Sequence, residues 1–404
     1  MVKFIHAADL HMDRSFEGLV EIDGKVQKKL LRANLTVLEN IVEQAIKHQV
    51  DFVLLVGDSF HQNRPSLKIQ KHFSEQIKRL GEHNISVFLT FGNHDFYQKE
   101  RYWFEFPENL SLFTSETVET LQMTTDVGET IALSGFSYTK QWITEEKVPE
   151  FPQRFAVDYH IGLYHGEIGS THGNYAPFQA KQMEAKGYDY WALGHIHVPT
   201  KLNEKGTILY PGAPQGHTKK EESATSIVLV ELQGASCRTT PIKVAEVYWK
   251  RQQISLREVK QTTDVLKKIQ QELVEPNKMT LVEFEIIDYE HLDQEVLDRI
   301  HSGELLDYLK EETNRKFSNL VIWRISTLER DNKVKISLSA STLMFEQLFE
   351  NYQTKEDFQH ILQEAYTNQE AIKVLDLLPD FQESTIEKAQ EIIRQDFLFE
   401  GGTE

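Results

Sequence analysis

The sequence predicts an α/β fold in which two β-sheets stack between layers of helix, an α/β/β/α sandwich, followed by a small α+β domain and a helical C-terminal region. Three observations carry this reading. Short apolar runs alternate with helix-periodic stretches over the first hundred residues; a second set of short strands with no long helix between them follows at about 130–231; and the pattern changes near 245 and again after 335. The expected domains are therefore residues 1–244, 245–335 and 336–404.

Taken in order, residues 3–8 are a short β run. Over 28–48, Leu30, Leu31, Leu35, Leu38, Ile41, Val42 and Ala45 recur at helical spacing. Residues 51–56 are a nearly all-apolar strand ending in Gly57-Asp58, 67–80 return to helix with Phe73, Ile77 and Leu80 on one stripe, and 85–90 are the next strand. That β-α-β-α-β order implies a parallel sheet covered on both faces. Strands at 130–134, 159–164, 190–193, 207–210 and 226–231 lack long intervening helices and imply a second sheet packed on the first. Beyond 244, residues 261–275 read as helix, 279–287 as an alternating strand, 293–311 as mixed helix and 320–325 as a strand. Ser384-Thr385-Ile386-Glu387 reads as a capping box opening an amphipathic helix with Ile386, Ile393 and Phe397 on one face.

At 404 residues the chain exceeds one ordinary core. Its one cysteine, Cys237, rules out an intrachain disulfide and a cysteine-built zinc site, which fits a reducing compartment. No stretch approaches the roughly 18–20 apolar residues of a membrane span, and there is no basic-then-apolar leader. A cytoplasmic protein without membrane association is expected. The net charge of −18 opposes nucleic-acid binding, but residues 336–404 hold 14 acidic and 4 basic side chains, so the rest of the chain carries only −8. Bound metal would neutralise several carboxylates there.

The chemistry lies at strand ends. Asp9 and His11 follow the first strand, Asp58 the second and Asn93 the third, while His165 and the pair His195 and His197 follow later ones. In an extended strand end, residues i and i+2 point to the same side, so Asp9 with His11, and His195 with His197, are expected to face one site. Singly, each has a bland reading as a turn residue, an N-cap or a core histidine. Jointly, they place oxygen and nitrogen ligands at five strand ends suited to one sheet edge. Such ligation without thiolate suits manganese, and also iron or zinc, better than calcium. A bridging Asp58 would hold two ions about 3.5–4 Å apart, the spacing used for displacement at a phosphoester. In Gly92-Asn93-His94-Asp95, Asn93 offers a carbonyl oxygen to metal. His94 is then left to meet substrate as a proton donor, and Asp95 to orient His94 from behind. His61, Asn63, Arg64 and Ser66 form a polar loop, stiffened by Pro65, before a helix bearing Lys68, Lys71, Lys78 and Arg79. It reads either as a solvated helix face or as a contact to a phosphate backbone.

Asp9-x-His11, Gly57-Asp58, Gly92-Asn93-His94-Asp95, His165-Gly166 and Gly194-His195-x-His197 resemble the five signatures of calcineurin-like metallophosphoesterases, across residues 1 to about 240. The stretch from Gly57 to Ser66 and Tyr210-Pro211-Gly212 are similar to the SbcD-type nuclease subunits of DNA repair, and among them to YhaO-type proteins of Gram-positive bacteria. Ser59 stands where the family has a larger apolar residue, and Gly216-His217-Thr218 departs from an expected Arg-His pair. The resemblance implies a metallophosphoesterase core acting as a manganese-dependent DNA exonuclease, and possible endonuclease activity with it. It implies one ion on Asp9, His11, Asp58 and His197, a second on Asp58, Asn93, His165 and His195, and His61 beside the scissile strand. It further implies that 245–335 cap the site and that helices near 67–80, with the segment after them, pair two subunits in a homodimer. The C-terminal helical part would bind an SbcC-like or YhaN-like coiled-coil ATPase. A phosphodiesterase for a small or cyclic nucleotide is the alternative that keeps every ligand.

Overall fold

The computed structural model describes residues 1–328 apart from 20–21, 170–172, 260–261 and 290, together with 358, 385 and 386. The chain opens with β1 (Val2–Ala7), α1 (Gly24–His48), β2 (Phe52–Val56), α2 (Leu67–Glu82), β3 (Ser86–Thr90) and β4 (Leu110–Leu112). It continues through β5 (Glu119–Thr124), β6 (Thr130–Gly135), β7 (Tyr159–His165), α3 (Ala180–Glu184), β8 (Tyr190–Gly194), β9 (Thr200–Lys201) and β10 (Ile208–Tyr210). A hairpin follows, β11 (Ser226–Gln233) and β12 (Ser236–Lys243). The last described elements are β13 (Val247–Ser255), α4 (Thr262–Gln271), β14 (Met279–Ile287), α5 (Gln294–His301), α6 (Glu304–Lys316) and β15 (Leu320–Thr327).

The first sheet runs β12-β11-β1-β2-β3-β4, parallel from β1 to β4 and antiparallel beyond. The second runs β5-β6-β7-β8-β10-β9, parallel from β6 to β10 and antiparallel at both edges. Parallel pairing needs crossover chain, and α1 and α2 supply it on the outer face of the first sheet. Every residue of β2 is buried, because its two faces are both covered. Phe52, Leu54 and Val56 join Phe4 against Ile131, Leu133, Ile161 and Leu163 of the second sheet. Val53 and Leu55 turn the other way, onto Val37, Leu38 and Ile41 of α1 and Phe73, Ile77 and Leu80 of α2. Phe4 and Phe52 stack at 4.8 Å in the inter-sheet layer. The far face of the second sheet is covered by Phe151, Phe178 and Met183 packed on Tyr164, Trp191 and Tyr210. The fourth layer of the sandwich is thus one five-residue helix and packed loops.

The parallel sheet β13-β14-β15 carries α4, α5 and α6 over its own core. It joins the sandwich where Leu30 and Ala33 of α1 meet Trp249, Leu281 and Val321. Strand β13 escaped the sequence reading because Lys250-Arg251-Gln252-Gln253 interrupts its apolar pattern. The mixed helix over 293–311 is two helices, broken at Gly303, whose φ of 88° leaves the helical region. The described residues 1–328 pack within one compact unit. The acidic helical region expected at 336–404 lies outside the described residues, save Phe358, Thr385 and Ile386. Among the described residues, no helix is long and apolar enough to cross a membrane.

Removing Phe52 from the inter-sheet layer should be severe. Phe52→Ala is expected to lower stability by about 3–5 kcal/mol, whereas Val127→Ala, on an exposed turn, should change it by less than about 0.5 kcal/mol. Chemical denaturation followed by tryptophan fluorescence checks both, and equal midpoints would contradict the assigned core.

Candidate metal centre

All seven ligand-type residues sit at the C-terminal ends of β1, β2, β3, β7 and β8. Parallel strands share that edge, which is where open α/β sheets bind ligands. The local backbone differs from the extended strand ends expected. Asp9 (φ 55°), His11 (φ 43°), Asp58 (φ 51°) and His195 (φ 104°) all have positive φ. Such backbone costs on the order of 1–3 kcal/mol per residue and persists where surroundings over-determine it. Here the loops are laced together: the amides of Asp9, His11 and Met12 donate to the carbonyls of Gly57, Asp58 and Ser59, at 3.0–3.1 Å, and the amide of Gly57 donates to Thr90.

The ligand atoms converge in two groups. Asp9, His11 and His197 place one atom each within 4.8 Å of one another, and so do Asp9, Asp58 and His165. Asp9 is common to both groups; Asp58, a member of the second, has its Oδ2 3.4 Å from His165 Nε2 and 3.8 Å from His11 Nε2 of the first. Asn93 Oδ1 is 3.2 Å from both His165 Nε2 and His195 Nδ1, and His11 Nε2 is 3.1 Å from His197 Nε2. Ligands about 2.0–2.2 Å from a common ion are separated by roughly 3.0–3.5 Å along a tetrahedral or octahedral edge. The spacing and donor types therefore fit divalent ions on both sides of Asp58. His197 stands with Asp9 and His11, while His195 meets Asn93 on the His165 side, the same division that the family resemblance implies.

Glycines make this approach possible. A Cβ on Gly92 would lie 2.2 Å from Asp58 Oδ1 and 2.7 Å from His165 Nε2. One on Gly194 would lie 2.0 Å from the carbonyl oxygen of Val56.

Burial alone would raise the Asp58 carboxyl, yet His165, His11 and His94 around it hold it well below the usual carboxylate range. Burial works against a charged His165, but Asp58 and Asp9 overcome it and lift its pKa to about 9. The geometry agrees: His165 Nδ1 donates to the Val56 carbonyl at 3.1 Å, and Nε2 faces the oxygens of Asp58 and Asn93. Burial, with His165 nearby, drops His195 to about 3.

His94 and His61 stand at the rim. Their rings stack at 4.6 Å, and both lie edge-on to His11, at 5.1 and 5.2 Å. The His94 amide donates to Asp58 Oδ1 at 2.9 Å, and burial beside His94 lowers His61 to about 4. Asp95 corrects the expectation that it backs His94. Its carboxylate accepts the amides of Gly92 (2.7 Å), Ser59 (2.8 Å), Asp58 (3.2 Å) and Phe60 (3.3 Å), so it joins the loops after β2 and β3. Ser66, expected to meet substrate, caps α2 by accepting from the Ile69 amide. Asn63 and Arg64 are exposed on the loop before it. Sequence reasoning missed Asp13, which accepts the amides of His61 and Gln62, and Glu221, which meets His197. Glu221 lies in a charged run, Lys219-Lys220-Glu221-Glu222, that carries no sign of an inward role.

Residues 2–199 match the family model for calcineurin-like phosphoesterases, so the chain carries a calcineurin-like phosphoesterase domain. The chain is 31% identical to an uncharacterised metallophosphoesterase, YhaO of Bacillus subtilis, over 66% of each chain. It is 26% identical to the DNA double-strand break repair protein Mre11 of Archaeoglobus fulgidus, over 55% of this chain and 52% of that one. It is 22% identical to a component of the nuclease SbcCD of Staphylococcus epidermidis, over 52% and 61%. The chain thus spans between about half and two thirds of the length of these relatives.

Two measurements check the centre. Gly92→Ala should abolish uptake of at least one divalent ion while α-helical circular dichroism is retained, because the added methyl occupies the space of the Asp58 carboxylate. Retained affinity in calorimetry would contradict the packing. Ion uptake should also displace the His165 proton, since that ring is charged below about pH 9 without metal. Affinity should therefore rise up to roughly tenfold per pH unit between about pH 7 and 9 and level off above; a flat profile would contradict the assignment.

Proposed function

From the calcineurin-like phosphoesterase domain that this chain carries at residues 2–199, that of a metal-dependent hydrolase, we propose a manganese-dependent DNA nuclease cleaving phosphodiester bonds. The observation that carries the reading is the pair of ligand groups around Asp58 with His94 and His61 stacked at their rim. Asp9, His11, Asp58 and His197 would hold one ion, and Asp58, Asn93, His165 and His195 the other. Bound there, the ions would lower the pKa of a water and neutralise phosphate oxygens. His94, its backbone fixed by Asp58, protonates the leaving oxygen or stabilises charge developing on it. His61 is neutral near pH 7, and its Nδ1 is buried without a protein partner, so it is suited to bond a substrate oxygen. Asp95 and Asp13 act through the backbone, keeping the loops of Asp58 and His61 in place.

The step from phosphoester to DNA is supported by the names of the Mre11 and SbcCD relatives and by the exposed loop at Asn63 and Arg64, which opens α2 with Lys68 and Lys71 on its exposed side. A partner such as an SbcC-like or YhaN-like ATPase, and pairing of two chains, belong to the same proposal.

Labelled duplex and single-stranded DNA, assayed with manganese beside a panel of cyclic nucleotides, test the substrate class. DNA cleavage is expected; turnover of cyclic nucleotides alone would replace this reading with a small-nucleotide phosphodiesterase. His94→Ser should reduce kcat by about 10²–10⁴-fold with metal content unchanged, and persistent turnover would remove the role given to His94.

A further inference from the structure

We propose that Glu221, anchored by Arg14, is a positioning residue that fixes which nitrogen of His197 faces the metal centre. This rests on the metal-binding reading of the site and is independent of the DNA reading. Glu221 Oε1 lies 2.7 Å from His197 Nδ1, and Arg14 Nη1 donates to the same oxygen at 3.2 Å. Its other oxygen accepts the His217 amide at 2.7 Å. Arg14 is itself held, through Nε and Nη2 to Glu17 Oε1 at 3.1 and 2.7 Å.

Arg14 Nη1, itself only a donor, lies 3.4 Å from His197 Nδ1 but is nearer to Glu221 Oε1; an ionised carboxylate only accepts hydrogen bonds, so across the 2.7 Å contact His197 Nδ1 donates to Glu221. A neutral imidazole with its proton on Nδ1 carries its lone pair on Nε2, and Nε2 is the nitrogen that faces His11 Nε2 at 3.1 Å. Two ring nitrogens that close need a cation between them or a proton on one alone. With Glu221 on the far side of His197, the nitrogen turned toward His11 is left free to ligate. His165 receives the corresponding service from the Val56 carbonyl. For His197 the acceptor comes from far along the chain, beyond the family-matched residues 2–199. The loop that supplies it is tied to β13: Gln215 Oε1 accepts the amides of Glu246 and Val247, each at 3.1 Å, and Trp249 Nε1 donates to the Gly216 carbonyl at 3.0 Å.

The test uses the full chain and manganese(II) alone. Wild-type protein, Glu221→Gln and Glu221→Ala are titrated by calorimetry and electron paramagnetic resonance. Long-range ¹H–¹⁵N NMR of the metal-free forms, recorded at a pH alkaline enough that the ring carries a single proton, reads the tautomer. Both variants should bind one manganese about 10–100-fold more weakly than wild type and leave the other unchanged. His197 should pass from the Nδ1–H form to a mixture. Gln is nearly isosteric but offers one acceptor where Arg14, His197 and the His217 amide require two, so it keeps the packing and loses the control. Wild-type affinity for both ions in a folded Glu221→Gln protein would overturn the proposal, as would an Nε2–H tautomer in the wild type. A wild-type chain that takes up no manganese would overturn the metal reading as well.

Discussion

The site depends on one buried carboxylate, that of Asp95, whose hydrogen bonds go to backbone amides. Asp95 collects the amides of Gly92, Asp58, Ser59 and Phe60 and so welds the loop after β2 to the loop after β3. Burial, with Asp58 nearby, pushes its pKa up to about 7, and the four N–H donors oppose that push. Buried carboxylates persist when every lone pair is satisfied, and here the partners are backbone groups of the two segments that must not move. Asp58 and Asn93 inherit their places from this junction.

Around it, charge and space are arranged together. Asp58 lies between His11 and His165, and the left-handed backbone at Asp9, His11, Asp58 and His195 is maintained by amide bonds between neighbouring loops. Gly92 and Gly194 bring backbone to within a side chain's width of the ligands. The sandwich beneath supplies the rigidity: β2 is buried on both faces, and the five ligand-bearing strands end at the same edge. Acceptors packed this closely suit a bound cation, and the charges of Asp58 and Asp9 also favour a proton on His165.

Much of this was legible in the sequence for a local reason. Apolar runs such as Phe52–Val56 and periodic ones such as Leu30 to Ala45 state their own burial, and a ligand after each run states where chemistry would sit. What was missed depended on partners distant in sequence. The strands β4, β5, β9 and β12 are short or polar edges, and β13 hides its pairing behind Lys250 and Arg251. Asp95 read as an orienting partner of its neighbour His94, because adjacency was the only relation the sequence offered. Glu221 read as one charge in a solvated run.

The sequence by itself pointed to the calcineurin-like domain, the candidate ligands, and the strand-by-strand order that brings them together, since each is carried by short motifs and local periodicity. Tertiary structure alone decided which backbone amides hold Asp95 and which carboxylate backs His197. Those relations join residues as far apart as Arg14 and Glu221, and only the folded arrangement of the two stacked sheets brings them within hydrogen-bonding distance.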